Sequence, residues 1–376
     1  MNAQTAEIKT TFSSVVLRGS AYQIGVQQAQ MIQHIPGFVE WIRSAGKDSD
    51  RPAYDSSLAL MRRFCPGLEE ETNGFCDTLK IKAEDLFYFA STHLAPTHCS
   101  HMVVLPSMTE NKHTLVGRNY DFSESMDDKR LCSTYVEGKY AHIGFSSLLF
   151  GRLDGMNDQG LTITASVGGI PVGKGNGLKP PIQNGLQFWA VIRTLFEQCK
   201  DVDEALNLLK EIPNCGNPIL LLADSQGSAA RAEIFGARIK ITPIDSASPQ
   251  QYLAATNHYI DPEMFALNPV RFKHSVARYQ TIQTTLEQNP AHISVEDIKE
   301  LLSTSYPQGL CCHYYREFFG NLHAMVFDPF ERSIVLTFGS PRKNVWYKIS
   351  FGNELAGIYE SVLPDENTSP DFWAVD

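Results

Sequence analysis

Pro96-Thr97-His98-Cys99-Ser100-His101-Met102-Val103-Val104-Leu105 sets a reactive thiol at the head of an apolar run. Shortly after it comes Gly117-Arg118-Asn119-Tyr120-Asp121-Phe122, a second strand-like stretch ending in paired charges. A thiol opening one strand, with an Arg and an Asp closing the next, has the parts of a nucleophile with electrostatic support. The thiolate is the attacking species, and a nearby cation favours it. A cut before Cys99 would add a free α-amine, whose pKa of about 7.7–8 suits a base near neutral pH.

Upstream, residues 1–98 read as mostly helical after a short extended start. Ser20 is an N-cap ahead of Tyr22, Val26 and Ala29 on one helical face. Ser56–Phe64 and Leu68–Leu79 follow, the latter with Glu69, Glu70 and Glu71 in its first turn, where acids suit the helix dipole. A short helix is expected over Ala83–Phe89. Downstream the pattern turns to strands, and Gly155-Met156-Asn157-Asp158-Gln159-Gly160-Leu161 is a turn feeding one of them. The Gly- and Pro-rich stretch Gly168–Gly185 reads as a long loop that shapes a pocket. Helices are expected at Asn184–Cys199, Val202–Ile212, Arg271–Glu287 and Val295–Ser303, and strands at Pro218–Leu222, Ala230–Phe235, Arg238–Thr242, Tyr252–Asn257, His323–Phe327, Ser333–Phe338 and Val345–Ile349. Strands, two central helices and more strands suggest sheets with helices layered on them.

The 376 residues are 43% hydrophobic and 20% charged, enough for a sizeable core. The net charge of −10, without a basic block, argues against sequence-independent nucleic-acid binding. No apolar run approaches the ~20 residues of a membrane span. The start lacks a basic region leading into an apolar one, so no secretory signal is read. Eight scattered cysteines without a CxxC pair fit a reducing cytoplasm. Cys311-Cys312-His313 lacks a second pair at zinc-finger spacing, and neither metal nor cofactor is expected.

The order of motifs resembles the N-terminal-nucleophile hydrolases of the choloylglycine hydrolase and acyl-coenzyme A:6-aminopenicillanic acid acyltransferase-like group. The resemblance spans nearly the whole chain. It rests on Arg18-Gly19-Ser20-Ala21-Tyr22-Gln23-Ile24-Gly25, Pro66-Gly67-Leu68, the Cys99 region, Gly117–Phe122, Gly155–Leu161, Thr256-Asn257-His258 and Ser275-Val276-Ala277-Arg278-Tyr279. It implies an α+β fold, a four-layer αββα sandwich of two antiparallel sheets flanked by helices. It also implies a precursor cut at His98-Cys99, with residues 1–98 kept as a small subunit and 99–376 as the catalytic domain. By the same resemblance Arg118 sits beside the Cys99 sulfur, and Asp121 accepts from the α-amine. Asn257 donates to the oxyanion, and Arg278 completes the network behind the nucleophile. Residues 118 and 121 would face opposite sides of an ideal strand, so the strand is expected to bend or end near Asn119. The residue before the nucleophile is His98, where the family pattern suggests a small or polar one. Thr164–Gly169 offers no Asn as a second oxyanion donor, and that role is unassigned.

The expected activity is hydrolysis or transfer of acyl groups at linear amides through a Cys99 thioester, on a small-molecule amide or acyl substrate. Besides that substrate, the partners are the two fragments of the chain itself, and homo-oligomerisation is left open. Each residue also has a plainer reading alone: a buried small Cys, a surface Arg118–Asp121 pair, a turn Asn257, a solvated Arg278. Two other functions stay open. One is an uncut Cys/His hydrolase or metal site drawing on His93, His98, His101 or His113. The other is a binding protein of this shape with a dead site.

Overall fold

In this computed structural model the described residues are 6–40, 42, 51–86, 98–172, 177–180 and 183–376. The strands are β1 (Ala6–Gly19), β2 (His98–Val104), β3 (Leu115–Phe122), β4 (Arg130–Val136), β5 (His142–Ser147), β6 (Gly151–Arg152), β7 (Asp154–Asn157), β8 (Thr162–Val167), β9 (Pro218–Ala223), β10 (Ala229–Phe235), β11 (Arg238–Ile244), β12 (Tyr252–Ala255), β13 (His313–Tyr314), β14 (Phe319–Asp328), β15 (Ser333–Phe338), β16 (Trp346–Ser350) and β17 (Gly357–Asp365). The helices are α1 (Ala21–Ile32), α2 (Arg51–Phe64), α3 (Leu68–Leu79), α4 (Phe188–Gln198), α5 (Val202–Glu211), α6 (Pro262–Leu267), α7 (Lys273–Gln288) and α8 (Val295–Ser303). Among these residues no helix is long and apolar enough to cross a membrane.

The strands form a ten-stranded sheet, in the order β11-β10-β9-β8-β7-β5-β4-β1-β17 with β6 on β5. A seven-stranded sheet runs β12-β2-β3-β14-β15-β16 with β13 on β14. Period-two alternation explains the layering. In β2 and β3, Cys99, Val103, Val116, Tyr120 and Phe122 join the core between the sheets. Their neighbours Met102, Val104 and Leu115 instead pack on Ile282 and Leu286 of α7 and Ile298, Leu301 and Leu302 of α8. Across the large sheet, Ile219 and Leu221 point into the same central core. Leu220 and Leu222 pack outward with Trp189, Leu195 and Leu209 of α4 and α5, and with Phe64 and Phe75 of α2 and α3. The result is the four-layer αββα sandwich.

Two details differ from expectation. Residues 6–19 are no short lead-in: β1 lies inside the large sheet, antiparallel to β17 from Ala6↔Asp365 to Ser14↔Gly357 and parallel to β4 from Ser13↔Arg130 to Gly19↔Val136. One pair in that sheet is therefore parallel, an arrangement that needs a long crossover, here residues 20–129. β3 also neither bends nor ends near Asn119: it pairs with β2 without a break from His98↔Asp121 to Val104↔Leu115. The bulge lies on the neighbouring β14, between Asn321 and His323. The helices at Leu68–Leu79 and Val295–Ser303 fall as read, and Ser20 caps α1 in a reciprocal capping box with Gln23. Ala83–Asp85 forms a 3-10 turn; the rest of the helix expected to Phe89 lies mainly outside the described residues.

The segment before Cys99 is bound tightly to the rest. Helices α1 and α3 cross so closely that a Cβ on Gly25 would lie 1.8 Å from the Glu71 carbonyl oxygen. Glu71, fully buried, receives Arg193 of α4 through Nη1 at 2.9 Å and Nη2 at 2.5 Å. Gln28 of α1 donates to the same carboxylate at 2.5 Å and accepts from Arg130 of β4 at 2.9 Å.

Candidate active site

Cys99, the second residue of β2, points between the sheets and is 1% exposed. Arg118 of β3 faces the same way and sets Nη2 at 3.5 Å from Cys99 Sγ. Two anchors fix that guanidinium. Its Nε donates to Asp154, the first residue of β7, and its Nη1 donates to Ala165 O at 2.5 Å, which leaves Nη2 for the sulfur. Asp154 also accepts from His323 Nε2 at 2.8 Å and from Phe145 N at 3.3 Å. The His323 ring is stacked between Phe145 and Tyr120.

The charges follow from these contacts. Burial alone would raise the Asp154 carboxyl, but His323 and Arg118 outweigh it and hold it at about 2. Burial pushes the Cys99 thiol up, against the pull of Arg118. With Asp154 answering the Arg118 charge, the thiol of the uncut chain is protonated and needs a base.

The backbone of Cys99 lies in a second polar set. Its N–H donates to Asn257 Oδ1 at 3.1 Å, and its carbonyl accepts from Arg278 Nη1 at 2.6 Å. Arg278, fully buried on α7, also donates to Ser100 Oγ at 2.8 Å, to Asn257 Oδ1 at 2.9 Å and to His274 Nδ1 at 3.0 Å. The imidazole of His274 is held far below its ordinary pKa by burial, so its Nδ1 is free to accept. Two donors converge on Asn257 Oδ1, which fixes the orientation of the amide. Its Nδ2 donates to Val167 O at 3.2 Å, and its backbone N–H to Ser275 Oγ at 2.8 Å. The side chain thus turns its carbonyl toward the Cys99 nitrogen, and Nδ2, the group the resemblance assigns to the oxyanion, lies on Val167 O.

Asp121 takes the other face of β3. Its Oδ1 accepts from Asn321 Nδ2 at 2.5 Å, while Oδ2 has no hydrogen-bond partner among the described residues. Burial pushes its carboxyl up to about 7, although Arg278 and Arg118 favour the anion. Cys99, Arg118, Asn257 and Arg278 are therefore joined by direct contacts. Asp121 stands across the ladder from His98, one residue before the thiol.

The histidines have other work. His101 lies between Thr164 Oγ1 at 2.7 Å and Ser166 Oγ at 3.0 Å, and His113 meets Asp328 Oδ2 at 2.9 Å. His93 lies outside the described residues. His313 is bonded to Ser340 Oγ at 2.7 Å, with Cys311 Sγ at 3.2 Å. Among the described residues no group of three or more His, Cys, Asp or Glu is placed to hold a metal ion.

A cavity of about 450 Å³ opens beside His98 and Asn257, walled by Val167, Ile170, Leu178, Phe272, Phe318 and Trp373. The described parts of the Gly168–Gly185 loop supply several of these walls; residues 173–176 and 181–182 are not described. A second cavity, of about 480 Å³, lies toward Tyr120, Leu153 and Phe188.

Asp154 and His323 were not read from the sequence as site residues. Asp154 directly precedes the Gly155–Leu161 turn, and that position was its one signal. His323 had none, being brought in from β14 by strand pairing.

Among solved structures, the chain is similar to a penicillin V acylase from Agrobacterium tumefaciens (17% identity, covering 70% of this chain and 90% of that one, TM-score 0.45). It is also similar to a conjugated bile acid hydrolase from Clostridium perfringens (11% identity, covering 70% and 96%, TM-score 0.44). An uncharacterized protein of Archaeoglobus fulgidus is 21% identical over 234 residues, which is 56% of this chain but only 38% of that protein's length. The profile of the family described as acyl-coenzyme A:6-aminopenicillanic acid acyl-transferase matches residues 107–343, which hold Arg118, Asp121, Asn257 and Arg278. That match takes in well over half of the sequence, and the chain belongs to this family.

Proposed function

We propose that the chain is a cysteine N-terminal-nucleophile enzyme that hydrolyses or transfers acyl groups at linear amide bonds through a Cys99 thioester. Membership of the family makes acyl hydrolysis or transfer its class of chemistry. The observation that carries the finer reading is the Arg118 Nη2 contact to Cys99 Sγ at 3.5 Å, made while the Cys99 nitrogen rests on Asn257 Oδ1 at 3.1 Å.

In the precursor the thiol adds to the carbonyl carbon of His98. The C–N bond to Cys99 then breaks as the nitrogen takes up the proton that the thiol gave up, leaving a thioester. Water cleaves that thioester and returns the thiol, a His98 carboxylate and a free Cys99 amine. The amine, accepted by Asn257, is then the base that removes the thiol proton when an amide substrate binds. The substrate amine departs with a proton, and water or a second amine resolves the thioester. Asp121 and Arg278 hold the surrounding polar frame, and residues 1–98 remain as a small subunit through β1 and Glu71. The uncut Cys/His alternative gains nothing from His101, which is taken up by Thr164 and Ser166.

The test is the intact mass of the denatured protein beside Cys99→Ala. Two fragments meeting at His98/Cys99 in the wild type, and one chain in the variant, are expected. A single full-length mass in both would remove the free-amine mechanism.

A further inference from the structure

We propose that the His98 side chain marks the acyl-group site, and that this site selects acyl chains bearing a neutral planar ring on the third carbon. The inference rests on the reading above, in which Cys99 attacks first the His98 carbonyl and later the substrate carbonyl. Both carbonyls must reach one sulfur and one set of polar donors. The group attached to the carbonyl carbon in the precursor therefore reports where a substrate's acyl group lies.

That group is a ring in an aromatic box. The His98 imidazole stacks on Phe319 with centroids 4.4 Å apart and planes 26° apart. Trp373 stands edge-on at 5.3 Å and His274 at 5.4 Å. Offset and edge-on contacts of this kind favour flat rings beyond their buried area. The buried His98 Nδ1 has no hydrogen-bond partner among the described residues, so the box holds the ring by its faces and edges. Burial, with Arg278 nearby, pushes the imidazole down to about 3. A ring here is uncharged, and a cationic substitute is disfavoured. In histidine the ring sits on Cβ, the third carbon counted from the carbonyl, which is the spacing of a 3-arylpropanoyl group.

The precursor fills its own slot. After cleavage the His98 carboxylate would face Asp121 across the ladder, and two buried carboxylates so placed disfavour each other. Departure of His98 joins the slot to the cavity of about 450 Å³, within the usual range of small-molecule sites. Its apolar walls, Val167, Ile170, Leu178 and Phe318 among them, leave room for substituents on the ring.

The test compares 3-phenylpropanoyl, phenylacetyl and hexanoyl 4-nitroanilides on wild type, Phe319→Ala and Phe188→Ala. Trp373→Leu stands in should Phe319→Ala fail to fold. In each sample intact mass reports cleavage, and protection of Cys99 from iodoacetamide by 3-phenylpropanoate or hexanoate reports binding without turnover. The expected result is a preference for 3-phenylpropanoyl over hexanoyl of about tenfold in kcat/KM and in protection, lost in Phe319→Ala and kept in Phe188→Ala. Cut protein with no ring preference overturns this inference and leaves the proposed function standing. Loss of the preference in Phe188→Ala alone also overturns it, placing the acyl group in the other cavity. Cut protein that turns over no anilide but is protected selectively by 3-phenylpropanoate supports the site and sinks the hydrolase reading. Uncut protein without protection overturns both.

Discussion

Glu71 offers a sharp test of whether residues 1–98 are a structural subunit. It lies before the proposed cut and is fully buried against Arg193, which lies after it. Glu71→Ala removes both Arg193 contacts and the Gln28 bond. Stripping one partner from a buried ion pair costs about 3–5 kcal/mol. Arg193 keeps Glu197 at 2.9 Å and Phe150 O at 2.6 Å, so the lower end, about 3 kcal/mol, is expected. That is roughly a 150-fold change in the folding equilibrium. With a urea slope of about 3 kcal/mol/M for a chain of this size, the midpoint should fall by about 1 M. The assay is urea denaturation of the cut protein, followed by circular dichroism and by size exclusion. In wild type the small fragment should separate only as the fold is lost, at a midpoint that rises with protein concentration. The uncut Cys99→Ala chain should show no such concentration dependence. Release of residues 1–98 in buffer without urea, or a Glu71→Ala midpoint within about 0.2 M of wild type, would refute the reasoning.

Three further outcomes are expected. Arg118→Gln should slow alkylation of Cys99 by about tenfold at pH 7, since losing a cation beside a thiol raises its pKa by about one unit or more; equal rates measured by mass spectrometry would show that the contact does not tune the sulfur. Asp154, held at about 2 when folded against about 3.9 unfolded, is a depressed acid, so its stabilisation is complete above the unfolded value and lost as pH falls toward 2. The stability gap between wild type and Asp154→Asn should therefore shrink by about 2 kcal/mol between pH 6 and pH 2.5 in urea titrations, and a gap that stays constant would count against the ion pair. Asp121, raised to about 7, has the opposite sign: its neutral form is favoured in the fold, and stability is lost as pH rises through 7. In the uncut Cys99→Ala background, Asp121→Asn should stabilise by about 3 kcal/mol more at pH 8 than at pH 4.5; the same gain at both pH values would contradict the buried, raised carboxyl.

Local patterns made much of the fold legible. Leu68–Leu79 carries three acids in its first turn and Val295–Ser303 opens on a Ser294–Asp297 capping box, and both helices form over the residues read. β4 and β17 were not read because their sequences mix polar and apolar residues, and β17 is an edge strand with a Pro near its end. The length of β1 was missed for a related reason: Ala6–Ser14 is largely polar, and it becomes a strand by pairing with β17, more than 340 residues away.

The sequence by itself determined the residue types of the site and their order: Cys99 heading one strand, Arg118 on the next, then Asn257 and Arg278. It could do so because strand alternation and motif order are local properties. Tertiary structure alone decided what those side chains touch. Unbroken pairing of β2 with β3 sent Arg118 to the sulfur and Asp121 to the opposite face. Convergence of the Cys99 N–H and Arg278 on one oxygen turned the carbonyl of Asn257 toward the Cys99 nitrogen. Sheet pairing also delivered Asp154 to the guanidinium, His323 to Asp154 and Phe319 to His98, while Trp373 reaches His98 from the turn that follows β17. Contacts between residues far apart in the chain are set by register and by the closure of the two sheets, and no local pattern encodes either.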